Sequence, residues 1–217
     1  METERILELF DRQMRRDAAD DDGLYVGGEW NAVLWPTGGI GRALERLRAC
    51  SGHREWKVYG HDPAGIARQL LAAGLVPEEQ ETVLVAEAAS IAPTDVEVIS
   101  AADAYVELAA QMFGRRFSLP REAVAVVALV DGEPVSGGRV DLEQGKDFAG
   151  LFGGFTLPRF RGRGLYRATV SERARIAREH GHRWLFVDAL PTSRPILERL
   201  GFERLTTTTP YVVVSDS

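Results

Sequence analysis

The sequence holds a single cysteine, Cys50, among 217 residues. One thiol closes no internal disulfide and supplies no metal cluster, so a disulfide scaffold is excluded and a reducing, cytoplasmic setting is expected. Long apolar runs are absent too. The longest, such as Ala123 to Val130, fall far short of the ~20 residues that span a bilayer, so no membrane role is expected. Met1 to Arg16 is dense in charge and lacks the apolar stretch of a secretory leader. His53 and His61 have no partner ligands at metal spacing, and no metal is expected. Positive charge is in deficit. The 26 Lys and Arg against 32 Asp and Glu give a net charge of -6, which argues against general nucleic-acid binding. What is present, 45% hydrophobic and 27% charged residues, excludes a disordered chain and suits one large domain or two small ones.

The charge is unevenly spread. Arg159 to Arg183 carries eight arginines and two acids, Glu172 and Glu179. Val76 to Glu107 carries eight acids and no Lys or Arg. An acidic protein with one arginine-dense segment implies either a local anion site or a solvated helix face.

The first 90 residues alternate helix and strand. Thr3 to Ala19 spaces Ile6, Leu7, Phe10 and Met14 as an amphipathic helix. Trp30 to Trp35, Trp56 to Tyr59 and Thr82 to Ala86 read as strands, and Ile40 to Ala49 and Ala64 to Ala73 as helices. This pattern predicts an α/β layer. Ala89 to Thr94 reads as a linker, dividing the chain into domains 1–90 and 94–217. Beyond it, Val96 to Ile99 is a strand and Ala101 to Phe113 a helix. Asp131-Gly132 predicts a hairpin between Ala123 to Val130 and Pro134 to Leu142. Phe148 to Leu157 is a strand whose Gly153-Gly154 marks a bulge. Gly164 to His180 is a helix, Trp184 to Ala189 a strand, Pro195 to Leu200 a short helix and Tyr211 to Val214 a last strand.

The two halves echo each other. Trp35-Pro36-Thr37-Gly38-Gly39 opens one helix much as Phe160-Arg161-Gly162-Arg163-Gly164 opens another. Trp56 and Trp184 each open a strand that leads to a helix, the first ending at Gly74-Leu75 and the second at Gly201-Phe202. Either a repeat or a chance likeness of two α/β segments accounts for this.

The segment Pro158 to Gly164 carries the chemistry. Gly162 and Gly164 tolerate positive φ and let a ligand approach the backbone. The first N–H groups of the following helix have no intrahelical acceptors, and the helix dipole favours an anion before them. Arg159, Arg161 and Arg163 add donors suited to phosphate oxygens. The reading is a pyrophosphate cradle. A P-loop is excluded because Gly145-Lys146 is followed by Asp147. A dinucleotide fingerprint is disfavoured because Arg167 stands where its third glycine belongs and the preceding strands form a meander.

Loop, helix, strand and the closing Ile196-Leu197-Glu198-Arg199-Leu200-Gly201-Phe202 resemble, in that order, the GNAT superfamily of acyl-CoA N-acyltransferases. The resemblance implies a mixed, mostly antiparallel α/β (α+β) sheet flanked by helices, with residues 30–88 as a smaller, partial copy. It implies that Phe155, Thr156 and Leu157 pair by backbone with the pantetheine arm of acetyl-CoA. Arg159, Arg161, Gly162, Arg163 and Gly164 would hold its pyrophosphate. The first half has Leu34, Pro36 and Thr37 where the second has Arg159, Arg161 and Gly162. Only the second copy is therefore expected to bind acyl-CoA.

The implied reaction moves an acetyl group from acetyl-CoA to a primary amine of a small molecule or protein. The protein would be a monomer or a homodimer. The amine must lose a proton and the departing thiolate must gain one. The family's usual acid is a Tyr four residues before the Gly of Gly-Phe, and here that position is Leu197. Asp188, at a strand end, is a candidate base or a surface carboxylate. Ser193, one turn before Leu197, is a candidate donor or an N-cap. Tyr166 and Tyr211 are further hydroxyls or core residues. The Leu197 departure leaves a second reading, a non-catalytic acyl-CoA-binding sensor.

Overall fold

The computed structural model describes residues 2–27, 30–35, 40–114 and 118–214. The chain forms two compact units. The first comprises Met1–Val83, Asp188–Pro191 and Arg204–Ser217, and the second Leu84–Val187 and Thr192–Glu203. The last strand, from Arg204 on, thus groups with the first unit.

In the first unit, α1 (Glu2–Phe10) passes into a π-helical stretch, Asp11–Arg16. The expected single helix to Ala19 is thus interrupted. Arg15 explains part of this, because its buried guanidinium donates to the Leu34 carbonyl and pairs with Asp11 and with Asp62. β1 (Leu24–Gly27) and β2 (Trp30–Val33) form an antiparallel hairpin. α2 (Ile40–Ala49) then leads to β3 (His53–Tyr59), which lies parallel to β2. α3 (Ile66–Ala72) and the short β4 (Val76–Pro77) follow. Leu44, Leu47, Trp56, Leu70 and Tyr211 pack into this unit's core. The counterpart of the second half's loop, Pro36-Thr37-Gly38-Gly39, lies outside the described residues.

β5 (Glu81–Glu87) carries the chain into the second unit. There β6 (Val98–Ser100), α4 (Ala102–Phe113), β7 (Ala123–Val130), β8 (Glu133–Asp141) and β9 (Phe148–Thr156) precede α5 (Leu165–Glu179). β10 (Trp184–Ala189) and α6 (Arg194–Arg199) come next. The strands of this unit run in the order β5-β10-β9-β8-β7-β6. β9 and β10 are parallel, while β6 to β9 pair antiparallel in succession. Asp131 and Gly132 have φ of 53° and 80°, the left-handed pair that a type I′ hairpin turn requires. Tyr105, Leu108, Ala125, Val127 and Phe155 form the core under α4.

β11 (Glu203–Val212) returns the chain to the first unit, antiparallel to both β3 and β4. It spans ten residues and ends at Val212, where the sequence indicated a strand from Tyr211 to Val214. The mixed, mostly antiparallel sheet flanked by helices is the fold that the residues indicated.

Candidate active site

The site in the second unit begins where a strand loses its neighbour. β9 and β10 pair only through Trp184–Phe148, Leu185–Ala149 and Phe186–Gly150. From Leu151 to Thr156, β9 has no partner on that side among the pairs with β10. On its other side, Gly137 faces Phe155 while Arg139 faces Phe152, so Gly153 and Gly154 bulge opposite the single residue Gly138. Gly153 takes a φ of 56°, and the Tyr105 hydroxyl donates to its carbonyl at 3.1 Å.

Past the bulge, the pleat fixes which groups face the open edge. The Phe155 carbonyl accepts from Ser136 Oγ at 2.6 Å, and the Leu157 N–H donates to the Val135 carbonyl at 2.9 Å. Both point toward β8, so the N–H and C=O of Thr156 point the other way. The Phe155 ring is core: it stacks on Tyr105 and meets Phe113 edge-on. Its side chain anchors the strand and leaves backbone groups for a ligand.

A 3₁₀ turn, Pro158–Phe160, ends the strand and leads into the loop. Gly162 and Gly164 have φ of 76° and 78°, which explains the glycines there. Among the described residues, no backbone carbonyl outside the helix accepts from the N–H groups of Gly162, Arg163, Gly164 or Leu165. These donors sit at the positive end of a 15-residue helix. Arg159 and Arg163 are exposed and lie over the Phe160 ring, 4.9 and 5.7 Å from its centre. Arg161 Nε donates to the Thr156 carbonyl at 3.3 Å. None of the three arginines pairs with a carboxylate among the described residues. An open strand edge thus runs into a turn of bare amides ringed by arginines, an arrangement suited to an extended arm ending in a diphosphate.

Leu197, where the family's usual acid would stand, is fully buried. Ser193 occupies the N-cap position of α6, but its hydroxyl makes no capping bond. Pro195 at the second helical position has no N–H for it to cap. The Ser193 carbonyl accepts from Ile196 and Leu197 instead.

Asp188 belongs to the first unit, where it pairs with Lys57. Alternate residues of β3, namely His53, Glu55, Lys57 and Tyr59, share one face of that strand. Glu55 is buried and bonds His53 and Trp30 at 2.9 Å each. Glu81 lies 3.4 Å from Lys57 Nζ. Burial alone would lower the Lys57 pKa, but Asp188, Glu55 and Glu81 outweigh it and hold the ammonium well above its ordinary value. Burial raises Glu81 to about 7, with Asp188 and Glu55 adding to the rise and Lys57 opposing it. Sequence patterns missed this cluster, because its members are polar and up to 131 positions apart.

Glu81 therefore holds its proton more tightly in the folded protein than in the unfolded chain. Its contribution to stability is complete below its ordinary 4.5 and is lost as pH rises through about 7. Glu81→Gln is expected to remove that loss. Between pH 5 and 8 the wild type should lose roughly 1–3 kcal/mol relative to the variant. Urea unfolding across this range checks it, and parallel pH profiles would refute the assignment.

Comparisons with known proteins agree with the fold. A GCN5-related N-acetyltransferase from Kribbella flavida superposes with a TM-score of 0.68 at 17% identity, covering 98% of this chain and 95% of its own. An acetyltransferase of the GNAT family from Novosphingobium aromaticivorans gives 0.62 at 15% identity, covering 88% and 86%. A Drosophila protein gives 0.60 at 13% identity, covering 100% and 97%. At such identities the likeness concerns the fold. No curated protein sequence matches the chain. The profile of the Acetyltransferase (GNAT) family matches residues 93–202, just over half of the sequence. With the bulged strand, the glycine-arginine loop and α5 all inside that match, the chain belongs to the GNAT acetyltransferase family.

Proposed function

We propose that the second unit binds acetyl-CoA and transfers its acetyl group to a primary amine of a small molecule or protein. The observation that carries this reading is the run of amides from Gly162 to Leu165 that meet no backbone acceptor outside the helix among the described residues, placed at the end of the open β9 edge. The diphosphate would lie on those amides and among Arg159, Arg161 and Arg163. The pantetheine arm would run back along Leu157, Thr156 and Phe155, with Thr156 offering its backbone groups. The thioester would then reach the Gly153-Gly154 bulge, where a backbone N–H can stabilise the oxyanion formed by amine attack.

The first unit repeats one element of this plan, a strand, a helix and a parallel strand in β2-α2-β3, as in β9-α5-β10. In our reading it is a degenerate copy, because Leu34 and Thr37 replace Arg159 and Gly162. Calorimetric titration with CoA should therefore give one site per chain, and two sites would refute this. Buried Leu197 favours a second reading, a sensor that binds acyl-CoA without turnover. Incubation with acetyl-CoA and a panel of amines separates the two. Thiol release that depends on the amine marks a transferase, and tight binding without release marks a sensor.

A further inference from the structure

Arg173, in the middle of α5, is 1% exposed and pairs with no carboxylate among the described residues. Its Nε donates to the Thr169 carbonyl at 2.9 Å and its Nη1 to the Arg139 carbonyl at 3.2 Å. Nη2 is buried and makes no well-formed hydrogen bond. A guanidinium buried in this way is costly unless something exploits it. Room has been made for it, because a Cβ on Gly138 would stand 2.6 Å from its Cζ.

The free end of Arg173 lies between Gly138, whose built Cβ would stand 3.0 Å from Nη2, and the bulge opposite it. A Cβ built on Gly154, the exposed half of the bulge, would stand 3.5 Å from Arg173 Nη2 and 3.4 Å from the Tyr166 hydroxyl. It would stand 2.8 Å from the edge of the Tyr166 ring. The Tyr166 ring and the Arg173 guanidinium thus fill the space that a side chain on Gly154 would take, and the missing Cβ lets the phenol and the cation close on the bulge. Tyr166 is half-buried on the first turn of α5, two turns before Arg173 on the same helix face. Burial pushes the Arg173 guanidinium below its ordinary value, while Tyr166 and Tyr105 favour its charged form.

We propose that Tyr166 donates the proton to the departing CoA thiolate, with Arg173 as the positioning residue that holds the phenol at the bulge. This rests on the acetyl-transfer reading, which puts the diphosphate at the loop and so the sulfur at the opposite, Gly154 end of the strand. The amine nitrogen bonds to the thioester carbonyl carbon. The C–S bond breaks with its electron pair on sulfur, and the Tyr166 hydroxyl proton passes to sulfur to give the free thiol. The proton released by the new amide nitrogen returns through water to the phenolate. Each group ends as it began, and acetyl has moved from sulfur to nitrogen. Tyr166 thereby takes the part that buried Leu197 leaves vacant.

Tyr166→Phe tests this, assayed with acetyl-CoA and whichever amine the wild type accepts. We expect kcat to fall by about 10²-fold or more, while CoA affinity by calorimetry stays within about twofold. Gly154→Ala is the second variant. It has no left-handed φ to violate, but its methyl must displace the Tyr166 ring. It should give a similar loss, and the double variant should be no worse than either single one. Turnover of Tyr166→Phe within about threefold of wild type would overturn the proposal. So would a parallel loss of CoA binding, which would make Tyr166 structural, and so would strictly additive effects of the two variants. Wild type that binds CoA but releases no thiol with any amine would instead defeat the transferase reading, and this inference with it.

Discussion

Gly162→Asp is expected to abolish CoA binding while the protein stays folded. Gly162 is exposed, and a Cβ there would meet no atom within 4 Å. The substitution therefore clashes with nothing in the protein. Its φ of 76° is left-handed, but Asp is among the residues that best tolerate that region, at a cost of about 1 kcal/mol. The effect falls on the ligand. The new carboxylate would stand before the amides of Gly162 to Leu165, competing for those donors and repelling a diphosphate. CoA affinity should drop by at least about 100-fold, equivalent to about 2.7 kcal/mol. Gly162→Ala adds the backbone strain without the charge and should lose far less. Calorimetry with CoA, alongside thermal melts, checks both variants. Affinity retained within about fivefold in the Asp variant would place the diphosphate elsewhere and remove the basis of the proposed function.

Lys57→Met is expected to cost the first unit about 3–5 kcal/mol. Lys57 is 8% exposed and stands among Asp188, Glu81 and Glu55. Met matches its stem in volume, so the loss is electrostatic rather than a cavity. Removing the ammonium leaves Asp188 without its partner, and Asp188 Oδ1 already lacks a hydrogen bond. Carboxylates left so must protonate or draw in water. The variant should consequently recover stability as pH falls. Adding Asp188→Asn should restore a substantial part of the loss, a coupling on the order of 1–3 kcal/mol. Urea unfolding of both single variants and the double one measures this. A loss under about 1 kcal/mol for Lys57→Met would mean that the cluster is solvated, not buried.

Much of the chain was legible in its residues. α2, β7 and β10 have the limits that their apolar patterns indicated, and Asp131-Gly132 forms the turn its chemistry demands. The left-handed turn of the loop was legible for the same reason, since Gly162 and Gly164 specify it through local backbone geometry. Other features were not. β1 is a four-residue strand with little pattern. The middle of β11 is a run of four threonines that shows no apolar alternation, and its last five residues pair with β3.

The sequence by itself determined the family, most of the order of elements and the left-handed glycines of the loop before α5, because neighbouring residues specify each of these. The tertiary structure alone decided where the chain divides, what Asp188 touches and why Arg173 is buried beside Tyr166. Burial and pairing of polar groups depend on partners far along the chain, and no local periodicity encodes a contact between residues 57 and 188.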